Sequence, residues 1–189
     1  MNENISTISS EDAVSGAGSE AFKVIVCGGL TIGILDCAAA SLNGVFKGMN
    51  PAIVWQYVAS GLLGRNSYNH GWKSVILGLL IHFFIAFSVT IIYYAASRRL
   101  PIIVRRAVLF GILYGITVYF VMAYVVTPLS AAGKMPFSVS SILIGSLIHV
   151  FCIGFCIGLP IAFITRRFAK NNRENSFVVN ESRAAVSDF

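Results

Sequence analysis

Acidic residues are almost absent from the middle of this 189-residue chain, where Asp36 is the only one between Glu20 and Glu174. Charged residues make up 12% of the sequence, against about 25% in soluble domains. Signatures of soluble enzymes are also missing, because the chain has no nucleophile elbow, no phosphate-binding loop and no HExxH motif. No residue is therefore predicted to be catalytic or to bind a metal, and an enzymatic activity is left open without being favoured.

Three further absences narrow the class of protein. The four cysteines all fall inside apolar blocks, so a disulfide framework is not indicated. The basic residues form no continuous stripe, which argues against nucleic acid as a partner. The first 20 residues have no positively charged start, so we expect the first apolar block to be retained as a signal anchor and not removed as a signal peptide.

Apolar residues dominate what is present: 56% of the chain is hydrophobic and the mean hydropathy is +0.77. A membrane-spanning helix needs about 20 predominantly apolar residues. The sequence contains four blocks of about this length, which predict an all-α, antiparallel four-helix transmembrane bundle in a domain at 22–168. The predicted spans are 24–45, 75–96, 107–126 and 139–164.

The placement of the basic residues predicts the topology. Ten of the fourteen lie beside the first span, in the second connection or after the fourth span. By the positive-inside rule, both termini and the second connection face the cytoplasm. The polar segments at 1–21 and 169–189 are predicted to be disordered cytoplasmic tails.

The first connection contains a short helix. Asn50 followed by Pro51 is typical of a helix cap and its first residue. The helix predicted at 51–63 is too short to span a membrane, and it carries Trp55 and Tyr57, aromatic residues that favour the headgroup level. We therefore predict an interfacial helix that lies on the exterior surface or dips slightly into it.

Two short, mainly apolar sequence motifs each occur twice along the chain. ILGLLIHFF at 76–84 aligns with LIGSLIHVF at 143–151, and GILD at 33–36 echoes GILY at 111–114. Spans one and three would run outward and spans two and four inward. The chain would then be two repeated helical hairpins related by an axis along the membrane normal.

Small residues at helical spacing predict where these spans pack together. Gly29 and Gly33 lie on one face of the first span, and Gly78 and Gly145 share a face with the histidine four residues later. Small residues let helix backbones approach closely inside a membrane. Both histidines should therefore point into the bundle.

One polar or ionisable residue per span is predicted at a similar depth. At 1.5 Å per residue, the side chains lie about 12–16 Å below the exterior ends of their spans. A carboxylate at mid-helix costs about 2.5–3.5 kcal/mol on insertion scales, so the acid should be protonated, paired or next to water. The members of this intramembrane polar layer are Asp36, His82, His149 and Tyr119.

Three interpretations of this layer stay open. It could be a hydrogen-bonded knot that holds a non-catalytic scaffold or partner subunit together, although such bonds average only about 0.6 kcal/mol. It could handle a proton or a small solute, because intramembrane ionisable groups commonly mark such paths. Two histidines at matched depth could also bind a b-type haem or a metal in an electron-transfer subunit; no cofactor is otherwise expected.

Several stretches resemble a family of small bacterial four-span inner-membrane proteins. They are LD at 35–36, QYVASGLLG at 56–64, GLLIHFFIAF at 78–87, TPLS at 127–130 and CIGLPIAF at 156–163. The resemblance covers residues 25–165 and implies four spans in the bacterial plasma membrane. The family is uncharacterised, so the resemblance carries over no catalytic residue. The expected partners are the lipid bilayer and a second copy or a larger membrane complex.

Overall fold

The computed structural model describes residues 3–133 and 138–156, together with residues 163, 166, 167 and 170. All secondary-structure elements in these residues are helical. A 3₁₀ turn follows α2 at Gly64–Asn69, and π-helical turns lie at Met122–Val126 and Val150–Phe155. The α-helices are α1 (Glu3–Phe46), α2 (Pro51–Leu63), α3 (Trp72–Arg99), α4 (Pro101–Arg105), α5 (Ala107–Val121), α6 (Thr127–Leu129) and α7 (Val139–His149).

Three helical stretches are long and apolar enough to cross a membrane: Ala21–Phe46, Trp72–Arg99 and Ala107–Leu129, of 26, 28 and 23 residues. At 1.5 Å per residue each exceeds the hydrocarbon thickness of about 30 Å. This confirms the all-helical class and a helix of membrane-spanning length at three of the predicted spans. Of the fourth, 139–164, the shorter apolar helix Val139–Gly154 is described. Most of its remaining residues, and most of the predicted tail at 169–189, lie outside the described residues.

The first helix begins earlier than the sequence analysis expected. α1 starts at Glu3, within the segment 1–21 that was predicted to be a disordered tail. No proline precedes Pro51, so no residue of α1 removes a backbone donor from the helical ladder. Polar composition alone therefore did not locate the start of the helix.

The boundaries of α2 follow local rules. The side chain of Asn50 accepts a hydrogen bond of 2.9 Å from the backbone N–H of Ala52, and Pro51 is the first helical residue, which confirms the predicted cap. Gly64 ends the helix with φ of 59°, a left-handed conformation that favours glycine. α2 is thus a separate helix joined to α1 by a short turn.

α1 and α3 form the first helical hairpin, and glycines of α1 make their close contact possible. A Cβ atom on Gly33 would lie 2.5 Å from the Phe83 ring, and one on Gly29 would collide with the Phe87 ring. The predicted small-residue face of α1 therefore packs against two phenylalanine rings of α3.

α5 and the helical segment from Val139 to Phe155 form the second hairpin, with closer backbone contact. A Cβ on Gly111 would collide with the Gly154 carbonyl, and one on Gly115 would lie 2.7 Å from the His149 carbonyl. Close backbone contact at two glycines of α5 thus holds the second hairpin together.

α2 lies against α3 and not on the outside of the bundle. A Cβ on Gly78 would collide with the backbone carbonyl of Trp55, so the two helices touch backbone to backbone. Trp55 is 5% exposed, and Tyr57 is partly buried. The flat surface of α3 at Gly78 therefore lets α2 bury Trp55 in protein, while the location of α2 at the membrane surface stays a prediction.

The two hairpins share one core. The Tyr114 hydroxyl of α5 donates a 2.7 Å hydrogen bond to the Val89 carbonyl of α3, and the rings of Tyr93 and Tyr114 lie 4.9 Å apart. The outer faces are apolar and open, with Phe84 72% exposed, as suits a lipid-facing surface. The buried core residues are Val24, Ile32, Ala86, Val89, Tyr93, Ile103, Val118 and Ile153.

Candidate functional site

A cavity of about 120 Å³ lies where the two hairpins meet. Three of its lining residues are ionisable: Asp36 from α1, His82 from α3 and His149 from α7. A single water needs about 10–15 Å³ of such space, so the cavity has room for several waters or one small solute. The remaining lining is apolar and comes from Ile32, Val58, Ile85, Ala86, Val89, Val118, Met122 and Ile153.

The His82 imidazole is tied to α1 through one nitrogen. Nε2 of His82 donates a 2.9 Å hydrogen bond to the Gly33 carbonyl, which can only accept. In a neutral ring the other nitrogen, Nδ1, then carries no hydrogen. Nδ1 lies 3.9 Å from Oδ2 of Asp36. Nδ1 is thus the His82 nitrogen that faces the Asp36 carboxyl group.

Asp36 has no hydrogen-bond partner among the described residues. Its distance of 3.9 Å from His82 is too long for a hydrogen bond, and its Oδ1 atom is buried without a partner. A buried polar atom without a partner costs about 1–3 kcal/mol, and more when charged. Asp36 is therefore an acceptor that a proton, a water or a cationic solute in the cavity would satisfy.

His149 is the second imidazole at the cavity. Its Nδ1 atom donates a 2.9 Å hydrogen bond to the Gly145 carbonyl, one turn earlier in α7. Because the backbone carbonyl fixes the hydrogen on Nδ1, Nε2 is the nitrogen that can gain or lose a proton. Each imidazole thus has one nitrogen committed to backbone and one available for exchange.

Aromatic side chains support both imidazoles from outside the cavity. The Trp55 ring meets His82 edge to face at a centroid distance of 5.1 Å, and the Tyr119 ring meets His149 at 5.5 Å. The Tyr119 hydroxyl donates to the Ser141 carbonyl at 3.1 Å. Tyr119 is therefore not among the residues that line the cavity. It contacts His149 from outside the cavity and positions that imidazole.

A second cavity of about 280 Å³ adjoins the first on the side of α2. Val58, Ile85 and Met122 line both cavities, so these three apolar side chains form the wall between them. The second cavity also contains polar side chains from Tyr57, Thr127 and Ser130. Ser130 and Ala132, from the loop after α6, also line the second cavity.

The π-helical turns flank this site. Met122, the first residue of one turn, lines both cavities, and Ile153 in the other lines the first. π-turns within α-helices are frequent at functional sites. No local residue pattern marks a π-turn, so the sequence did not predict these turns. Val58 was not predicted at a site because α2 was predicted to be interfacial.

It also missed the second glycine pair. Gly111 and Gly115 form a G-x-x-x-G spacing like that of Gly29 and Gly33. This spacing is a recognised signal for close helix contact in membranes. The signal was therefore available in the sequence, and the structure brings this pair against the segment that carries His149.

The geometry gives little support to haem or metal binding. A cavity of about 120 Å³ is well below the roughly 300–1,000 Å³ of sites for drug-sized ligands, so a haem does not fit in it. Within residues 3–133 and 138–156, no three His, Cys, Asp or Glu side chains are placed to hold a metal ion together. Three ionisable groups around a small apolar space are better suited to a proton or a small solute.

Comparison of the chain with protein-family models, with curated proteins and with solved structures finds no match. The functional conclusion therefore follows from the geometry of this site.

Proposed function

We propose that this chain is a four-span protein of the bacterial inner membrane, related to the family that its sequence resembles, and that it moves protons or a small solute through the Asp36, His82 and His149 site. Two contacts support a fourth crossing: Ser141 at the start of α7 accepts from Tyr119 in α5, and Arg166, later in the chain, donates a 2.6 Å hydrogen bond to the Val104 carbonyl in α4, just before the opposite end of α5. The arginines at that opposite end support a cytoplasmic orientation for it.

One observation carries the proposal. A carboxylate with a buried oxygen that lacks a partner and two imidazoles, each with one uncommitted nitrogen, line a single cavity inside an apolar bundle. A structural knot would satisfy its polar atoms internally. The Oδ1 atom of Asp36 without a protein partner therefore supports a site that takes a proton or a small solute from the cavity.

A proton would enter from the side of α2. It would pass the hydroxyls of the second cavity, cross the wall of Val58, Ile85 and Met122, and bind between Asp36 and Nδ1 of His82. A shift of about 1 Å would shorten the 3.9 Å separation to the 2.7–2.9 Å of a charge-assisted hydrogen bond. On the other side, core residues such as Val24 and Tyr93 close the path.

The test is proton flux in proteoliposomes that hold the purified chain and a pH-sensitive dye. Asp36→Asn keeps the shape of the side chain but removes its proton acceptor. We expect Asp36→Asn and His82→Gln each to lower the flux by about a hundredfold, the lower end of what a positioned proton-transfer group contributes. Circular dichroism and thermal unfolding of each variant monitor the fold.

The third histidine provides the matched control. His70 is exposed and lies between α2 and α3, away from the cavity. His70→Gln should leave the flux unchanged. Equal flux in folded Asp36→Asn and in the wild type would refute proton transfer. The polar layer would then only hold the helices together, and His82→Gln would change the unfolding temperature alone.

A further inference from the structure

A groove of about 730 Å³ lies at the end of the molecule opposite α2, outside the cavity site. α4 and the first turn of α5 form one side of it, and Phe163 and Arg166 lie on the other. Three of its lining residues are arginines: Arg105, Arg106 and Arg166. We call it the arginine groove.

Among the side chains that the structure describes, the arginines of this groove have no acidic neighbour. Asp36 is the only acidic residue whose side chain the structure describes, and it lines the cavity between the hairpins. Arg166 donates to the carbonyls of Val104 and Arg105, at 2.6 and 3.2 Å, which holds its guanidinium at the junction of α4 and α5. The positive charge is therefore concentrated and positioned without a described counter-ion.

The start of α5 adds to this positive potential. α5 has 15 residues, and no side chain caps its N-terminus at Arg106. The first N–H groups of a helix have no partner within the helix and carry a partial positive charge. Ala107 and Val108, from this first turn, line the arginine groove. An anion there would meet the guanidinium groups of the three groove arginines and a helix N-terminus.

The rest of the groove is apolar and open. Val108, Leu109 and Phe163 line it and are 50%, 47% and 56% exposed. The guanidinium of Arg167 lies 4.5 Å over the Phe163 ring. Because these side chains belong to the apolar helices, they lie on the hydrocarbon side of the arginines. The groove therefore matches a ligand with an anionic head and an apolar tail.

We propose that the arginine groove binds an anionic phospholipid of the surrounding bilayer. Its phosphate would lie among Arg105, Arg106 and Arg166 at the start of α5, and an acyl chain would lie along Leu109 and Phe163. Basic pockets between transmembrane helices on the cytoplasmic side are known to take anionic lipid headgroups. This proposal does not depend on proton transfer at Asp36.

The test measures lipid retained by the full chain in native mass spectrometry, after incubation with phosphatidylglycerol or phosphatidylcholine in detergent. We expect phosphatidylglycerol alone to be retained. Arg105→Gln combined with Arg106→Gln should weaken its binding about thirtyfold, the loss expected for two basic residues at an anionic membrane surface. Both residues are exposed, so the variant should fold.

The matched control removes the same charge from the same end of the molecule. Arg98→Gln combined with Arg99→Gln lies at the end of α3, outside the groove, and should change retention less than about threefold. Equal losses in the two double variants would overturn the proposal in favour of general surface attraction. Displacement of the lipid by an equal concentration of inorganic phosphate would also overturn it, because phosphate lacks the apolar tail.

Discussion

Replacing Gly78 with alanine is the sharpest test of where α2 lies. The new Cβ would overlap the Trp55 carbonyl and lie 3.3 Å from the Ala59 nitrogen, both of them backbone atoms that cannot rotate away. Overpacking of this kind costs about 1–3 kcal/mol, and a backbone obstacle places it near the upper end. Alanine recovers about 0.5–1 kcal/mol as a better helix former. We expect a net loss of about 2 kcal/mol, with α2 displaced from α3.

The two tryptophans make this displacement measurable. Trp72 is 76% exposed and can be replaced with phenylalanine, which leaves Trp55, at 5% exposed, as the only indole. In the Trp72→Phe background, Gly78→Ala should shift the fluorescence emission of Trp55 to longer wavelength, because its ring loses its packed contact with His82. Unfolding in a mixed-detergent titration measures the free-energy change.

Two other helical glycines serve as controls. A Cβ on Gly18 meets nothing within 4 Å, so Gly18→Ala should be neutral or slightly stabilising. A Cβ on Gly28 would lie 3.0 Å from a Thr90 methyl group, a side-chain obstacle, so Gly28→Ala should cost less than Gly78→Ala. An unchanged Trp55 emission and stability in Gly78→Ala would refute the close α2–α3 contact and support the interfacial helix.

Three further predictions test other parts of the structure. Val58→Trp fills the wall between the two cavities, so proton flux should fall to the level of Asp36→Asn while the fold persists; unchanged flux would contradict the proposed entry route. Tyr114→Phe removes the 2.7 Å hydrogen bond to the Val89 carbonyl and should cost about 0.6 kcal/mol of unfolding free energy, an average value for such bonds in membranes. Gly111→Leu forces α5 from the Gly154 backbone and should cost about 1–3 kcal/mol by overpacking; a neutral result in the same unfolding assay would contradict the tight second hairpin.

Local sequence signals predicted the parts of the fold that local physics controls. The apolar blocks at 24–45, 75–96 and 107–126 lie within helices of membrane-spanning length, because such runs must satisfy their backbone internally in lipid. Asn50 and Pro51 begin α2 as expected, since capping involves only neighbouring residues. The helix faces that contain glycine pack closely against neighbouring helices. Glycine has no side chain, so it permits close contact with any helix that lies beside it.

Sequence reasoning was less successful where the partner of a residue lies far along the chain. It predicted Asp36, His82 and His149 as ionisable groups at similar depth, and the structure places the three at one cavity. It included Tyr119 in the same layer, but depth along a helix does not specify direction around it, and that side chain supports His149 from behind. Trp55 was predicted at the headgroup level because tryptophan is common there. In the structure its ring is buried in protein, because Gly78 lets α2 approach α3 closely.

The sequence by itself determined that this is an all-helical protein with helices long and apolar enough to cross a membrane. It also showed that ionisable residues are rare within those helices. These properties follow from transfer free energies and helix geometry, which are local. Only the tertiary structure decided that α2 closes one side of the site, that Asp36, His82 and His149 line one cavity, and that Arg166 donates a hydrogen bond to the Arg105 carbonyl. Each of these depends on contacts between residues distant in sequence, which packing selects and no single helix encodes.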